Sequence, residues 1–302
     1  MMGTMTRRGI ILFVALGLMG GIPYLFIKVA VTELTPEFLV LARTALAAAI
    51  LLPIAAGRGA IRPVLRRWKP LLAFAVAQMV LPWYFLNSAE QQLPSSTTGL
   101  LLSVTPLVAA VVALAFGRRD RITPINAIGM LLGMLGVATI VGFDVEGSDL
   151  GSVAKLIVVV IGFAVGPAIL ARWMSDLPGV GVIGVALAAT AVLTVPIVAI
   201  TGGWPRTVPS APVVVSVFML AAVGTGICYL LLFALVAEIG PIRMTAVSYV
   251  NPAVAVVAGA LVLQEEITAW AVAGFALIVL GCVFVTRPDV GREVAREPAP
   301  LG

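Results

Sequence analysis

Polar and aromatic side chains interrupt several long apolar runs of the sequence. A tyrosine hydroxyl, an amide or an indole N–H is tolerated in apolar surroundings when it finds a partner, and such groups line binding sites for small, partly apolar solutes. We predict a solute-binding role for nine of them: Tyr24, Trp83, Tyr84, Asn87, Ser103, Tyr229, Ser248, Tyr249 and Asn251.

Two basic residues, Lys28 and Arg43, lie in or near the same apolar runs. A charge in such surroundings is costly unless it is paired or hydrated. If both side chains face a common cavity, they favour an anionic or carboxylate-bearing solute. Two alternatives stay open: Lys28 extends outward to water, and Arg43 caps backbone carbonyls inside the protein.

The groups that catalysis usually needs are missing from the sequence. The chain has no histidine, which is the commonest general base and metal ligand. Its two cysteines, Cys228 and Cys282, are far apart and have no acidic neighbours, so we expect them to act as small packing residues. We therefore predict no catalytic residue, no metal site, no cofactor and no enzyme activity.

These side chains must be positioned by membrane helices, because 61 % of the 302 residues are hydrophobic and only 11 % are charged. Soluble domains carry about 25 % charged residues. Eight charge-free runs are close to or beyond the length that crosses a bilayer: 9–27, 70–89, 91–117, 122–143, 177–205, 207–237, 244–264 and 267–286. Two less regular segments, 36–56 and 156–171, bring the predicted number of transmembrane helices to ten.

The basic residues predict the orientation in the membrane. With Arg7 and Arg8 in the cytoplasm, 15 of the 19 Lys and Arg residues fall on that side. We expect a multi-pass protein of the inner or plasma membrane with both termini cytoplasmic. The net charge of +5 is then explained by the orientation in the membrane, and we do not predict nucleic-acid binding. In a membrane, Trp83 and Tyr84 are also suited to the interfacial aromatic belt, which is an alternative to lining a cavity.

The second half of the chain repeats the layout of the first. A shift of about 146 residues places Ser103–Val108 on Tyr249–Val254, so that Pro106 meets Pro252. In each half a polar break follows, and then an Ile-Thr pair opens the last helix. An odd number of helices per half inserts the second half in the opposite orientation, as in many secondary transporters.

The predicted fold is therefore an all-α membrane protein with ten transmembrane helices arranged as two inverted five-helix repeats. The first repeat covers residues 9–142 and the second covers 150–286, followed by a short cytoplasmic tail at 287–302. Glycine pairs such as Gly17 with Gly21 and Gly129 with Gly133 have the spacing that permits close helix packing.

Further residues give the repeat a family resemblance: Gly20-Gly21, Lys28, Pro36, Arg43 and Pro53, followed by the Pro106 and Pro252 segments. Their order and spacing resemble the EamA-type branch of the drug/metabolite transporter superfamily. The resemblance covers residues of about 9–286 and implies ten helices and transport of small metabolites, often outward. The usual Gly-Glu pair before the last helix is replaced in the first half by Gly117-Arg118, so a role of that glutamate is not carried over there.

Proline within a membrane helix frees the carbonyl four residues before it, which is tolerated where other helices or a hydrated cavity satisfy that carbonyl. Five prolines are placed in this way: Pro23, Pro82, Pro106, Pro167 and Pro252. The predicted binding residues cluster around them. We therefore expect a midplane cavity lined mainly by helices one, three, four, six, eight and nine, while a kink that only improves packing is the alternative at each proline.

We expect a secondary transporter that exports a small metabolite, such as an amino acid, by alternating access. A multidrug exporter of lipophilic cations is disfavoured, because Glu90 and Glu238 fall near helix ends and no acidic residue lies deep in a predicted span. A membrane structural or interaction protein without transport is the other alternative. The expected partners are a small-molecule solute and the lipid bilayer. The sequence leaves the solute, the direction, the coupling ion and the oligomeric state open.

Overall fold

The computed structural model describes residues 6–115, 124–143, 149–239 and 247–286, and these residues contain helices but no strand. We number the α-helices of this part in chain order: α1 Arg7–Ala30, α2 Pro36–Gly57, α3 Ile61–Leu65, α4 Trp68–Ala75, α5 Leu81–Glu90, α6 Ser95–Leu102, α7 Thr105–Ala115, α8 Pro124–Phe143, α9 Leu150–Trp173, α10 Gly179–Thr201, α11 Ala211–Ala221, α12 Cys228–Ile239, α13 Val247–Val262 and α14 Ala269–Thr286. Two π-helical segments, Val76–Val80 and Ala222–Ile227, join α4 to α5 and α11 to α12.

Eight helical stretches of the described part are long and apolar enough to cross a membrane. Two shorter apolar helices, Val250–Val262 and Ala269–Val285, accompany them. The prediction of an all-α, multi-pass membrane protein is confirmed at this level, while the number of ten spans stays a prediction. The tail at 287–302 and the polar break at 117–121 lie outside the described residues.

The surface of the bundle is apolar along the helices and aromatic near their ends. Side chains such as Ile200, 87 % exposed, and Leu261, 72 % exposed, suit contact with lipid. Four of the five tryptophans are about half exposed and lie at or just beyond helix ends: Trp68, Trp173, Trp204 and Trp270. This distribution is typical of an interfacial aromatic belt.

Local sequence determines where α2 begins and where α10 ends. The Thr35 hydroxyl accepts a hydrogen bond from the Phe38 N–H (3.4 Å), and Pro36 follows with a fixed φ that suits the first helical turn. Helix α10 ends at Thr201 and is followed by Gly202, whose φ of 69° lies in the left-handed region that glycine adopts without a Cβ clash. The two helix ends meet, because the Thr35 hydroxyl also donates to the Gly203 carbonyl (3.0 Å).

Helices α8 and α14 pack against each other through glycines. A Cβ at Gly129 would lie 2.7 Å from the Gly281 carbonyl oxygen, and a Cβ at Gly274 would lie 2.7 Å from the Gly136 carbonyl oxygen. Residue numbers rise along one helix where they fall along the other, so the pair is antiparallel. Only residues without a side chain permit this backbone approach.

Helices α2 and α10 form a second antiparallel pair. Gly181 near the start of α10 approaches Ala60 just beyond the end of α2, whereas Gly184 faces Leu51, which lies earlier in α2. Helix α1 packs instead against α13, where a Cβ at Gly17 would lie 2.7 Å from Val250 Cγ1. Each contact joins a helix of the first half of the chain to one of the second.

The two π-helical segments begin 146 residues apart, which is the shift of the sequence repeat. Each one interrupts a long membrane-type helix near its middle. A π-helical turn widens the helix and is frequent at functional sites. Their equal spacing means that the two halves share a local distortion that the sequence comparison did not reveal.

The prolines have different effects on their helices. The chain leaves the α-helical conformation at Ser103 and Val104, just before Pro106, and the freed Leu102 carbonyl accepts a hydrogen bond from the Thr105 hydroxyl (2.6 Å). Pro82 lies just after the first π-helical segment. The remaining three prolines, Pro23, Pro167 and Pro252, lie within the continuous helices α1, α9 and α13.

Candidate functional site

Arg43 on α2 lies at the centre of the candidate site and is 6 % exposed. Its Nε donates to the Thr225 hydroxyl at 2.9 Å, and its Nη2 makes a longer contact of 3.5 Å with the Gly224 carbonyl oxygen. Both partners belong to the second π-helical segment, so the guanidinium group connects the two halves of the chain. Among the described residues Nη1 has no hydrogen-bond partner, which leaves donors for a ligand.

Trp83 covers a face of the Arg43 guanidinium group. The guanidinium carbon lies 4.0 Å from the ring centroid, which is a cation–π contact. Because Trp83 is 5 % exposed, it does not belong to the aromatic belt of the other four tryptophans. Tyr84, the next residue, is 36 % exposed and packs edge-on against Phe85. The structure therefore separates Tyr84 from the group around Arg43.

Two tyrosines complete this group. Tyr24 on α1 and Tyr229 on α12 are close enough to Arg43 to interact with its charge. The Tyr24 ring borders α6, since a Cβ at Gly99 would lie 3.7 Å from it. The Tyr229 ring stacks on Phe233 with 6.5 Å between centroids. The structure thus brings together Tyr24, Trp83, Tyr229 and Arg43.

The remaining predicted binding residues have structural partners or lie outside the described part. Asn87 is 1 % exposed, and its Nδ2 donates to the Pro36 carbonyl at 3.1 Å. The Ser103 hydroxyl, just after α6, donates to the Leu100 carbonyl in the last turn of that helix. With its amide nitrogen facing α1, Asn251 donates to the Gly17 carbonyl at 3.1 Å. The side chains of two further predicted residues, Ser248 and Tyr249, are outside the described part of the structure.

Lys28 faces the end of α5. Its Nζ donates to the backbone carbonyl oxygens of Glu90 at 2.8 Å and Leu93 at 2.9 Å. The last carbonyls of a helix lack partners within the helix and attract cations. Lys28 therefore fastens α1 to the end of α5, and its ammonium group lies beside Glu90 and not in the group around Arg43.

Glu90 is a buried residue that the predicted set of binding residues does not include. It ends α5, as its position in the sequence predicts, yet its side chain is 0 % exposed. Neither carboxyl oxygen has a hydrogen-bond partner among the described residues. A position at a helix end therefore does not leave this carboxyl group in water, because neighbouring segments cover it. In the sequence, the burial of Glu90 was indicated only by its position as a lone acidic residue directly after the apolar run 70–89.

A second carboxylate approaches the same region from the other half. Glu265, between α13 and α14, accepts hydrogen bonds from the backbone N–H groups of Ser95 (2.8 Å) and Ser96 (2.9 Å) at the start of α6. Burial raises the pKa of Glu265, but the hydrogen bonds from Ser96 and Ser95 outweigh it, so this pKa lies below 4.5. A cleft of about 240 Å³ lies next to this contact and is lined by Thr97 and Val256.

Comparison with known proteins gives the family. The model of the EamA-like transporter family matches residues 7–142 and matches again over residues 151–287. The chain belongs to the EamA-like transporter family. The double match agrees with the repeat in the sequence and with the equal spacing of the π-helical segments.

A crystal structure of another protein is similar to this EamA-like transporter, with a TM-score of 0.67 over 94 % of this chain and 98 % of that chain. The two sequences are 20 % identical, so the similarity concerns the fold alone. Altogether 11 solved chains match. No curated protein sequence matches the chain.

Family membership defines the general class of the protein. EamA-like proteins are transporters and not enzymes, so the protein is an integral, multi-pass membrane transporter of small solutes. In the described part no group of His, Cys, Asp and Glu side chains is suited to hold a metal ion.

Proposed function

We propose that this EamA-like transporter is a secondary carrier that exports a small metabolite, such as an amino acid, by alternating access. The proposal rests on Arg43, a cation that is only 6 % exposed, belongs to the first half and donates to Thr225 in the second. A charge buried between two membrane-embedded halves is expensive, and such residues mark solute pathways. Relative movement of the halves would break this contact and change the access to it.

The groups around Arg43 suit a solute that carries a carboxylate and an apolar part. Nη1 of Arg43, which has no hydrogen-bond partner among the described residues, would donate to the carboxylate, because guanidinium groups bind carboxylates strongly. Trp83, Tyr24 and Tyr229 would contact the apolar part and contribute hydroxyl groups. This combination favours amino acids with apolar or aromatic side chains.

The architecture that we propose has ten membrane helices in two inverted repeats, 9–142 and 150–286, with both termini in the cytoplasm of an inner or plasma membrane. Two observations support it. Equivalent helices of the two halves, α8 and α14, pack antiparallel. The π-helical segments fall at equivalent positions, 146 residues apart. An inverted repeat lets the halves exchange conformations, so a central site opens to one side at a time.

Counterflow in proteoliposomes tests the function. Vesicles that contain the purified protein are loaded with one unlabelled L-amino acid at a time, and the entry of a trace amount of the same labelled amino acid is followed. We expect entry above that of empty vesicles for at least one amino acid with an apolar side chain. Arg43→Gln removes the charge at the site and should abolish this entry. The absence of counterflow for every amino acid, with the protein still folded, would favour the non-transporting alternative.

A second candidate is an exporter of lipophilic cations, because Glu90 supplies the buried carboxylate that such an exporter needs. The same vesicles loaded with ethidium distinguish the two candidates. A carrier of carboxylate-bearing solutes should depend on Arg43 and ignore ethidium. A cation exporter should move ethidium and should lose this activity in Glu90→Gln while tolerating Arg43→Gln.

A further inference from the structure

The carboxyl group of Glu90 is buried and forms no ion pair among the described residues. Its side chain is 0 % exposed, and neither oxygen accepts a hydrogen bond from a described residue. Lys28 directs its ammonium group to the backbone carbonyls of Glu90 and Leu93, and no described ion pair joins it to the carboxylate. The hydroxyl group of Thr98 on α6 is also buried and has no hydrogen-bond partner among the described residues.

Charged and titratable groups approach Glu90 from the elements around α5. Those that act on it electrostatically are Tyr24 and Lys28 on α1, Arg43 on α2, and Glu265 between α13 and α14. Two others are already engaged: Lys155 on α9 donates to Ser88, and Glu37 at the start of α2 accepts from Thr201. Both lysines, Lys28 and Lys155, therefore bond to other groups, and one neighbour of Glu90 is a second carboxylate.

An ionised Glu90 would hold its charge in the protein interior without a hydrogen bond from any described residue, next to the negative charge of Glu265. Lys28, whose ammonium group bonds to backbone carbonyls, and Arg43, which bonds to Thr225, offset this cost only in part. A neutral carboxylic acid removes both the desolvation and the repulsion. We propose that Glu90 binds a proton in this conformation and that the carrier exchanges this proton for its solute. The exchange rests on the proposed function, because it requires that the protein carries a solute.

Binding of the proton and binding of the solute at Glu90 would exclude each other. When the site opens to water, the carboxylic acid gives its proton to water and becomes a carboxylate, which attracts the ammonium group of an amino acid. When the site opens to the other side, water returns a proton, the acid becomes neutral again, and the attraction is lost. One proton moves inward for each solute that moves outward, and no bond other than O–H is made or broken.

Infrared spectroscopy tests the proton without any solute. The carbonyl band of a protonated carboxylic acid is recorded for the wild type and for Glu90→Gln at neutral pH, and the two spectra are subtracted. We expect a band that is present in the wild type, absent in the variant and lost when the pH is raised. Glu238→Gln is the matched control, because Glu238 bonds to Thr6 and lies 3.8 Å from Arg8. This control should leave the band unchanged.

Transport driven by a pH gradient tests the exchange. At one-to-one exchange, a gradient of about one pH unit supports about a tenfold concentration gradient of the amino acid. We expect the wild type and Glu238→Gln to accumulate the amino acid identified by counterflow when such a gradient is imposed. In Glu90→Gln, whatever exchange remains should no longer respond to the gradient.

The outcomes separate this proposal from the proposed function. Counterflow in the wild type without a response to the pH gradient contradicts the proton exchange and leaves the carrier function in place. A gradient response that survives in Glu90→Gln, or the absence of the infrared band, contradicts the role of Glu90. If no amino acid supports counterflow, the carrier function fails and the exchange fails with it, whereas the infrared band still decides whether Glu90 holds a proton.

Discussion

Glu265 Oε1 accepts a hydrogen bond from the backbone N–H of Ser95 at 2.8 Å. This contact ties the segment before the last helix of the second half to the first residue of α6 in the first half. Ser96 adds a parallel bond to Oε2 of the same carboxylate at 2.9 Å. A negative charge at a helix N-terminus is favourable, because the first N–H groups of a helix have no partner within it. The contact therefore joins the halves at one end of the bundle.

Glu265→Gln should weaken this junction. The amide keeps one acceptor oxygen but loses the charge, and hydrogen bonds to charged groups are worth about 1.5–3 kcal/mol. We expect a loss of about 1–2 kcal/mol and a fall in Tm of roughly 2–6 °C in detergent. Glu266→Gln is the matched control, because Glu266 is exposed and should change little. Equal Tm values for the two variants would contradict the role of the junction.

The same junction should depend on pH. Because the pKa of Glu265 is lowered from 4.5 in the folded protein, its stabilisation is complete above that value and is lost as the pH falls through the lowered pKa. The Tm difference between the wild type and Glu265→Gln should therefore be constant above pH 4.5 and shrink below it. A difference that persists in acid would mean that the charge of Glu265 does not stabilise the contact.

Arg43→Lys tests whether the shape of the guanidinium group matters in addition to its charge. Lysine keeps the positive charge but loses the planar group that bonds to Thr225 while lying over Trp83. We expect the rate of counterflow at low solute concentration to fall roughly tenfold or more, which corresponds to about 1.4 kcal/mol. Arg66→Lys is the control, because Arg66 is exposed and has no described side-chain contact. Similar rates in both variants would show that charge alone suffices at position 43.

The general fold was predictable because lipid imposes strong constraints on sequence. Long charge-free runs indicate membrane helices, and the repeated proline segments at Pro106 and Pro252 indicate two related halves. The π-helical segments were not predictable, since Val76–Val80 and Ala222–Ile227 carry no common sequence motif. Their conformation depends on the packing of neighbouring helices.

The site was predictable only in part. Arg43 and Trp83 stood out by residue type, and both are buried side by side. Tyr84 was predicted for the same reason, but a step of one residue along a helix turns the side chain by about 100°. Because the neighbouring residues are apolar on every face of the helix, no hydrophobic periodicity showed which way Tyr84 points. Glu90 was left out of the predicted set because burial of a helix end depends on segments far away in the sequence, here those that carry Lys28 and Glu265.

Gly21→Ala should destabilise the contact of α1 with α13. The new Cβ would overlap the Asn251 carbonyl oxygen and lie 2.5 Å from the Val254 Cβ, so the two backbones would have to separate. Overpacking of this kind costs about 1–3 kcal/mol. Gly151→Ala is the control, because its Cβ on α9 would meet nothing within 4 Å and alanine is the better helix former. Thermal unfolding in detergent should show a lower Tm for Gly21→Ala only.

Labelling of single cysteines tests the proposed inversion of the two halves. Thr32 and Ser175 are both exposed and follow α1 and α9, which are the first helices of the two halves. If the halves are inverted, these equivalent positions lie on opposite sides of the membrane, whereas parallel halves would place them on the same side. With Cys228 and Cys282 replaced by alanine, a membrane-impermeant maleimide should label Thr32→Cys in intact cells. It should label Ser175→Cys only after permeabilisation.

A second pair of positions tests the number of spans between these points. One helix of membrane-spanning length, α2, separates Arg66 from Thr32, and one such helix, α10, separates Val208, 92 % exposed, from Ser175. Each crossing reverses the side, so Arg66→Cys should behave like Ser175→Cys, and Val208→Cys should behave like Thr32→Cys. Labelling of Thr32→Cys and Ser175→Cys from the same side of the membrane would contradict the inverted repeat. The carrier would then need another way to open Arg43 to both sides, because exchange of conformations between the halves requires that they face opposite directions.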